Sequence, residues 1–257
     1  MKTTQSKDGT TIAYDVYGKG PALIFITGAT CFRSFEPVVH DANVFAKQFT
    51  VYSYDRRGRG DSGNTLPYAI ERELEDIEAM IDAAGGTAYV YGHSSGAILA
   101  LEATMRLGDK VRKLVMYDPA YASDEANQKE FKELSQELAN LLESGKNDEA
   151  ISLFLEGIGI PKEVVAGMQH SPQWEAMVAI APTLAYDTML AMDLPPIERA
   201  SQLASPALVI VGEENPASIH EVANMLSEGI PNAEYCKLEG QDHMPNLKWC
   251  CQYSRDF

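Results

Sequence analysis

Short apolar runs alternate along this chain with longer stretches of helical periodicity. Ala22–Ile26 and Ala207–Val211 are continuously apolar, the pattern of central strands covered on both faces. Thr10–Tyr17, Thr50–Tyr54, Thr87–Tyr91, Val111–Tyr117 and Ala233–Leu238 read as further strands. A first short strand is expected before the turn at Asp8-Gly9, and Gly18-Lys19-Gly20-Pro21 is another turn. Between the strands lie helical patterns at Val38–Lys47, Tyr68–Ala84, Ala97–Met105 and Ser218–Glu228; Gly85-Gly86 ends the second. From Asp118 to about Pro196 the alternation stops. Helical segments follow one another there: Glu125–Glu143, Asp148–Leu155, Lys162–Met168, Gln173–Ala179 and Tyr186–Ala191. Strand–helix alternation predicts an α/β domain with a mostly parallel sheet, here carrying one all-helical insertion.

Length and composition narrow the picture further. A chain of 257 residues suits one large domain, and an apolar share of 45% is ordinary for a globular protein. The net charge of −16 argues against a nucleic-acid groove and against docking on an anionic membrane. No apolar run is long enough to span a bilayer, and Met1–Asp8 lacks the apolar core of a signal peptide, so a cytoplasmic protein is expected. Cys31, Cys236, Cys250 and Cys251 show neither metal-ligand nor disulfide-framework spacing. No metal or other cofactor is expected, and a homodimer is left open.

Gly92-His93-Ser94-Ser95-Gly96 carries the chemistry. It matches the G-x-S-x-G nucleophile elbow, with a β-prone run before it and a good helix after it. Such a turn strains the serine backbone, and a Cβ at Gly92 or Gly96 would collide with the neighbouring strand and helix. The helix N-terminus under the serine favours developing negative charge. His93, inside the elbow, is expected to point away from the serine and to serve packing or pocket lining.

The order of these segments, together with Asp55-Arg56-Arg57-Gly58-Arg59-Gly60-Asp61-Ser62 between the glycine turn and the elbow, resembles the α/β-hydrolase superfamily over residues 3 to about 245. The resemblance implies an eight-stranded, mostly parallel, doubly wound sheet with helices on both faces. It assigns residues 1–118 and 196–257 to the core and 119–195 to a helical cap over the strand carboxyl ends. It makes the arginine-rich segment a structural turn with arginine–aspartate pairing behind the active site; the Gly-Lys-Ser/Thr ending of a phosphate loop is missing.

The resemblance also implies a serine hydrolase constellation. Ser94 is the expected nucleophile, and because a serine hydroxyl needs a base, His243 after the last strand is the expected partner. His40, His170 and His220 lie in helices or at helix edges and read as surface residues. The orienting acid departs from the pattern: the loop Gly212-Glu213-Glu214-Asn215 places an amide where many relatives have aspartate. Glu213 or Glu214 could substitute, the acid could be missing, or it could have moved to Asp118 at the end of the strand after the elbow helix. Asp118 is preferred, because sites form at strand carboxyl ends and the order Ser…Asp…His is kept. Asn215 is expected to contribute little. The oxyanion hole needs two backbone N–H groups, expected from Ser95 and from Ala29 in the turn Thr27-Gly28-Ala29-Thr30-Cys31.

The expected activity is cleavage of a small or medium carboxylic ester or lactone. The apolar insertion, with Trp174 and Met177, is expected to select the substrate. Serine at the elbow leaves carbon–carbon hydrolases, perhydrolases and acyltransferases open. A ligand receptor or inactive relative is the reading of a different class. Asn215 motivates it, as does the segment from Leu247 to Phe257, which lacks the amphipathicity of the final helix that the resemblance implies and leaves open whether that end is native.

Overall fold

The computed structural model describes residues 1–244. The tail from Leu247, with Cys250 and Cys251, lies outside the described residues. In chain order the strands are β1 (Lys2–Gln5), β2 (Thr11–Tyr17), β3 (Ala22–Ile26), β4 (Thr50–Tyr54), β5 (Ala88–His93), β6 (Val111–Tyr117), β7 (Ala207–Gly212) and β8 (Ala233–Leu238). They form one eight-stranded sheet in the order β1-β2-β4-β3-β5-β6-β7-β8. β2 pairs antiparallel with both β1 and β4, and the remaining pairs are parallel.

Strand composition follows from the sheet being covered on both sides. Successive side chains of a strand point to opposite faces. In β3, Ile24 and Ile26 join one apolar cluster and Leu23 and Phe25 the other; β7 divides in the same way, with Val209 and Val211 opposite Leu208 and Ile210. Helices α2 (Ile70–Ala83), α3 (Ser95–Leu107) and α10 (Ala217–Gly229) supply Ile77, Leu99 and Val222 to the first cluster. Helix α1 (Glu36–Phe45) supplies Val38 and Phe45 to the second. It starts earlier than its apolar periodicity because Pro37 suits the first helical turn.

Between β6 and β7 come α4 (Glu125–Glu143), α5 (Asn147–Gly157), α6 (Lys162–Met168), α7 (Trp174–Ala179), α8 (Leu184–Ala191) and the short α9 (Ile197–Ala200), the last not anticipated from the sequence. The neck of this insertion is closed by the Ala122 N–H donating to the Asp193 carbonyl at 3.0 Å. A separate apolar cluster fills it, containing Leu138, Phe154, Trp174 and Met177, and Phe32 from the core reaches into that cluster. Trp174 and Met177 are only 9% and 2% exposed. They are core residues of the insertion, and this burial argues against the expectation that they select the substrate.

The chain reverses its direction of growth across the sheet between β3 and β5. It moves from β3 outward to β4 and then returns to lay β5 on the other side of β3. In open α/β sheets the crevice at such a switch point, outside the strand carboxyl ends, is where ligands bind.

Candidate active site

The elbow lies at the carboxyl end of β5. Ser94 has φ +57° and ψ −125°, a backbone conformation that a non-glycine residue adopts only when its surroundings force it. The surroundings here are the close approach of α3 to the sheet. A Cβ on Gly92 would lie 2.2 Å from the Gly96 carbonyl oxygen, and one on Gly96 would lie 2.4 Å from that of Ile26. Neither glycine can be replaced without moving the helix. The turn after β3 passes directly against the serine: a Cβ on Gly28 would stand 2.9 Å from Ser94 Cβ. Ala29 follows in that turn, and Ser95 opens α3, so the two expected oxyanion donors come from segments that meet at Ser94.

The next strand end places a buried carboxylate beside the elbow. The Ser94 N–H donates to the Tyr117 carbonyl at 2.9 Å, which fixes the end of β5 beside that of β6. Asp118 then turns through φ +47° with its residue fully buried. Its Oδ1 accepts the Gly212 N–H at 3.1 Å, and its Oδ2 accepts Asn215 Nδ2 at 2.7 Å. His243 Nδ1 lies 3.1 Å from the same Oδ2. The carboxylate facing His243 is therefore that of Asp118. Glu213 instead pairs with Lys237 Nζ at 2.9 Å and accepts the Gly240 N–H at 3.1 Å, and Glu214 is exposed.

Asn215 is not idle, against expectation. It stands in the loop after β7, where the resemblance implies an aspartate, and its amide donates to a carboxylate arriving from the neighbouring strand. An aspartate at that place would set two like charges at hydrogen-bond distance. Hydrogen bonds to charged groups contribute about 1.5–3 kcal/mol. With half of that support realised in the transition state, Asn215→Ala should lower kcat by about 3- to 12-fold. Steady-state kinetics on an ester substrate check it, and an unchanged kcat would leave Asn215 without a role in orienting Asp118.

His243 is held from behind as well. The His93 ring nitrogen Nε2 lies 2.8 Å from the His243 carbonyl oxygen. Burial, aided by the nearby His243 ring, pushes the His93 imidazole down to about 3, so it is neutral at physiological pH. A carbonyl can only accept, so His93 carries its proton on Nε2 and donates it there. The Tyr117 hydroxyl fixes the preceding residue by donating to the Asp242 carbonyl at 2.7 Å. His93 is thus more than packing: it tethers the loop that carries His243. His40 and His170 are exposed, and His220 is half-buried against the Glu213 carbonyl at 3.2 Å.

Cys31 is buried near the turn, and burial pushes its thiol up to about 11, which keeps it protonated and a poor nucleophile. Among the described residues no group of three or more histidine, cysteine or acidic side chains could hold a metal ion, and no helix is long and apolar enough to cross a membrane. Arg56, Arg57 and Arg59 are fully buried and ion-paired rather than open to a ligand. Arg57 is gripped by Asp76 at 2.7 Å and Asp8 at 3.0 Å. Arg56 and Arg59 share a partner the sequence did not single out, Asp187 of α8. The available signal was that Asp187 is the one charged residue in the otherwise uncharged helix Leu184–Ala191.

The site thus brings a strained serine at a strand–helix turn together with a buried aspartate and a histidine that follow later strands of the doubly wound sheet. The comparisons with known proteins agree on the class. The family model described as "Alpha/beta hydrolase family" matches residues 23–252, and this chain belongs to that family. The crystal structure of an alpha/beta hydrolase from Sphaerobacter thermophilus DSM 20745 is 39% identical, covers 98% of both chains and superposes with a TM-score of 0.87. An uncharacterized hydrolase, YraK, of Bacillus subtilis (strain 168) is 31% identical over 115 residues, which span 43% of this chain and only 42% of that protein. The (E)-2-((N-methylformamido)methylene)succinate hydrolase of Acinetobacter baylyi (strain ATCC 33305 / BD413 / ADP1) is 24% identical over 96% of this chain and 92% of its own length.

Proposed function

We propose that this hydrolase cleaves a small or medium carboxylic ester or lactone through an acyl-enzyme on Ser94. The observation that carries the reading is the 3.1 Å contact between His243 Nδ1 and the buried Asp118 carboxylate, at a strand end bonded to the elbow. A carboxylate at Nδ1 leaves Nε2 of the neutral imidazole without its proton, ready to accept one. His243 Nε2 takes the Ser94 hydroxyl proton as Oγ attacks the substrate carbonyl. The Asp118 charge stabilises the imidazolium so formed. The Ala29 and Ser95 N–H groups receive the negative charge that develops on the carbonyl oxygen. His243 then gives its proton to the leaving alkoxide; the same imidazole deprotonates a water that attacks the acyl carbonyl and, as the Ser94 Oγ–acyl bond breaks, returns that proton to Ser94 Oγ, releasing the acid.

Residues 119–195 act as a cap over the strand ends in this reading. With Trp174 and Met177 committed to the interior of that insertion, selection of the acyl or alcohol group falls to side chains at its junction with the core. The Acinetobacter relative's name supports hydrolysis as the reaction class and bears less on the substrate, since the identity is 24%. Two assays test the proposal together: release of p-nitrophenolate from short-chain p-nitrophenyl esters, and acid release from unsubstituted lactones followed at constant pH. Turnover of either class is expected. Failure on both, with Ser94 unreactive, would favour the non-catalytic reading instead.

A further inference from the structure

Asp187 is 2% exposed and belongs to the insertion, yet every partner of its carboxylate lies in the core. Its Oδ1 accepts the Ser95 hydroxyl at 2.7 Å and Arg56 Nη1 at 2.7 Å, and its Oδ2 accepts Arg59 Nη2 at 2.6 Å. The two arginines reach onward. Arg59 Nη1 donates to the Gly28 carbonyl at 2.6 Å and to that of Cys31 at 3.3 Å. Arg56 Nη1 donates to the Ser95 hydroxyl oxygen at 3.2 Å and to the Thr27 carbonyl at 3.4 Å. Glu73 closes the far side of Arg56 with a two-pronged pair at 2.6 and 3.1 Å. Burial alone would push the Asp187 carboxyl up, but the Arg59 and Arg56 guanidiniums outweigh it and hold the group below its usual value. Asp187 is therefore a carboxylate, and the two positive charges are balanced by two negative ones.

This network touches two stretches of backbone that are distant in sequence: the turn after β3, through Thr27, Gly28 and Cys31, and the first residue of α3, through Ser95. Those are the two stretches assigned above to the oxyanion hole, and the inference rests on that assignment. An oxyanion hole acts only when both N–H groups converge at about 2.7–3.1 Å on the place where the oxyanion will form. A misplacement of about 1 Å can cost on the order of 10²-fold in rate. Buried ion pairs add little stability over well-packed apolar residues, because their desolvation offsets their attraction. What a guanidinium adds is a rigid fork of donors at fixed spacing.

We propose that Asp187, acting through Arg56, Arg59 and the Ser95 hydroxyl, is a positioning residue that fixes the two halves of the oxyanion hole relative to each other, so that α8 of the insertion governs the rate of the chemical step without touching substrate. Ser95, although adjacent to the nucleophile, has its hydroxyl committed as donor to Asp187 and acceptor from Arg56.

The test compares Asp187→Asn and Ser95→Ala with wild type, using a short p-nitrophenyl ester and inhibition by phenylboronic acid, whose serine adduct places an oxygen in the oxyanion hole. Asp187→Asn should lower kcat about 10- to 100-fold with KM nearly unchanged, and should weaken the boronic acid by a similar factor, the behaviour of an interaction realised in the transition state. Ser95→Ala leaves every ion pair intact and should lower kcat about fivefold, with a small fall in melting temperature from the lost hydrogen bond to the buried carboxylate. If Asp187→Asn does not fold, Ser95→Ala decides. A kcat per titrated active site equal to wild type in Ser95→Ala, or a fall in melting temperature alone in Asp187→Asn, overturns the proposal. Failure of the hydrolase reading is a different result: a wild-type protein that hydrolyses no ester, or a Ser94→Ala variant that turns over normally.

Discussion

Ser94→Ala should abolish ester hydrolysis, with a loss on the order of 10⁶-fold in kcat and only the background of an empty oxyanion hole remaining. The argument is geometric. Ser94 is the one serine held at positive φ among the described residues, and the glycines on either side leave no room to relax that turn. The neighbouring Ser95 cannot take over, because its hydroxyl is already bonded at 2.7 Å to Asp187. Removing one hydroxyl from a half-buried position should leave the fold intact, so near-native circular dichroism is expected beside the lost activity. A variant that retains wild-type turnover would remove the mechanism.

Asp118→Asn should lower kcat by about 10⁴-fold, the scale seen when the orienting carboxylate of a serine triad is neutralised, with a smaller change in KM. The physical cause is twofold. An amide at this position no longer balances the imidazolium, and its NH₂ group faces either His243 Nδ1 together with the Asn215 Nδ2 donor, favouring the wrong tautomer, or the Gly212 N–H donor. The present carboxylate satisfies all three of its neighbours, at 3.1 Å from the Gly212 N–H, 2.7 Å from Asn215 and 3.1 Å from His243. Steady-state kinetics on one ester provide the measurement. A loss below tenfold would mean that Asp118 is a turn residue and that His243 is oriented by another group.

The fold was legible because its strands are buried on both faces. Runs such as Ala22–Ile26 and Ala207–Val211 need no partner to be recognised, and the glycines of the elbow announce a close approach of backbone to backbone. The preference for Asp118 over Glu213 and Glu214 came from its place at a strand carboxyl end and from the order Ser…Asp…His, set against the amide that stands where the resemblance implies an aspartate. The structure places that carboxylate against His243.

What stayed hidden were contacts whose partners lie far apart in sequence. Asn215 looked like a loss because its partner, Asp118, is 97 positions upstream and on another strand. Asp187 looked like one more helical residue because Arg56 and Arg59 lie 131 and 128 positions before it. Trp174 and Met177 looked like pocket lining because helical spacing cannot tell the interior of an insertion from the wall of a cleft, and burial does. The departures that first suggested an inactive relative are thereby reduced by one, since Asn215 supports the acid rather than replacing it.

Covalent labelling tests the central claim most directly. Wild-type protein treated with a fluorophosphonate and digested should carry one adduct, assigned by tandem mass spectrometry to the hydroxyl of Ser94. Labelling should be lost in Ser94→Ala and slowed by orders of magnitude in His243→Ala. An unlabelled wild-type protein, or an adduct on any residue other than Ser94, would contradict the account.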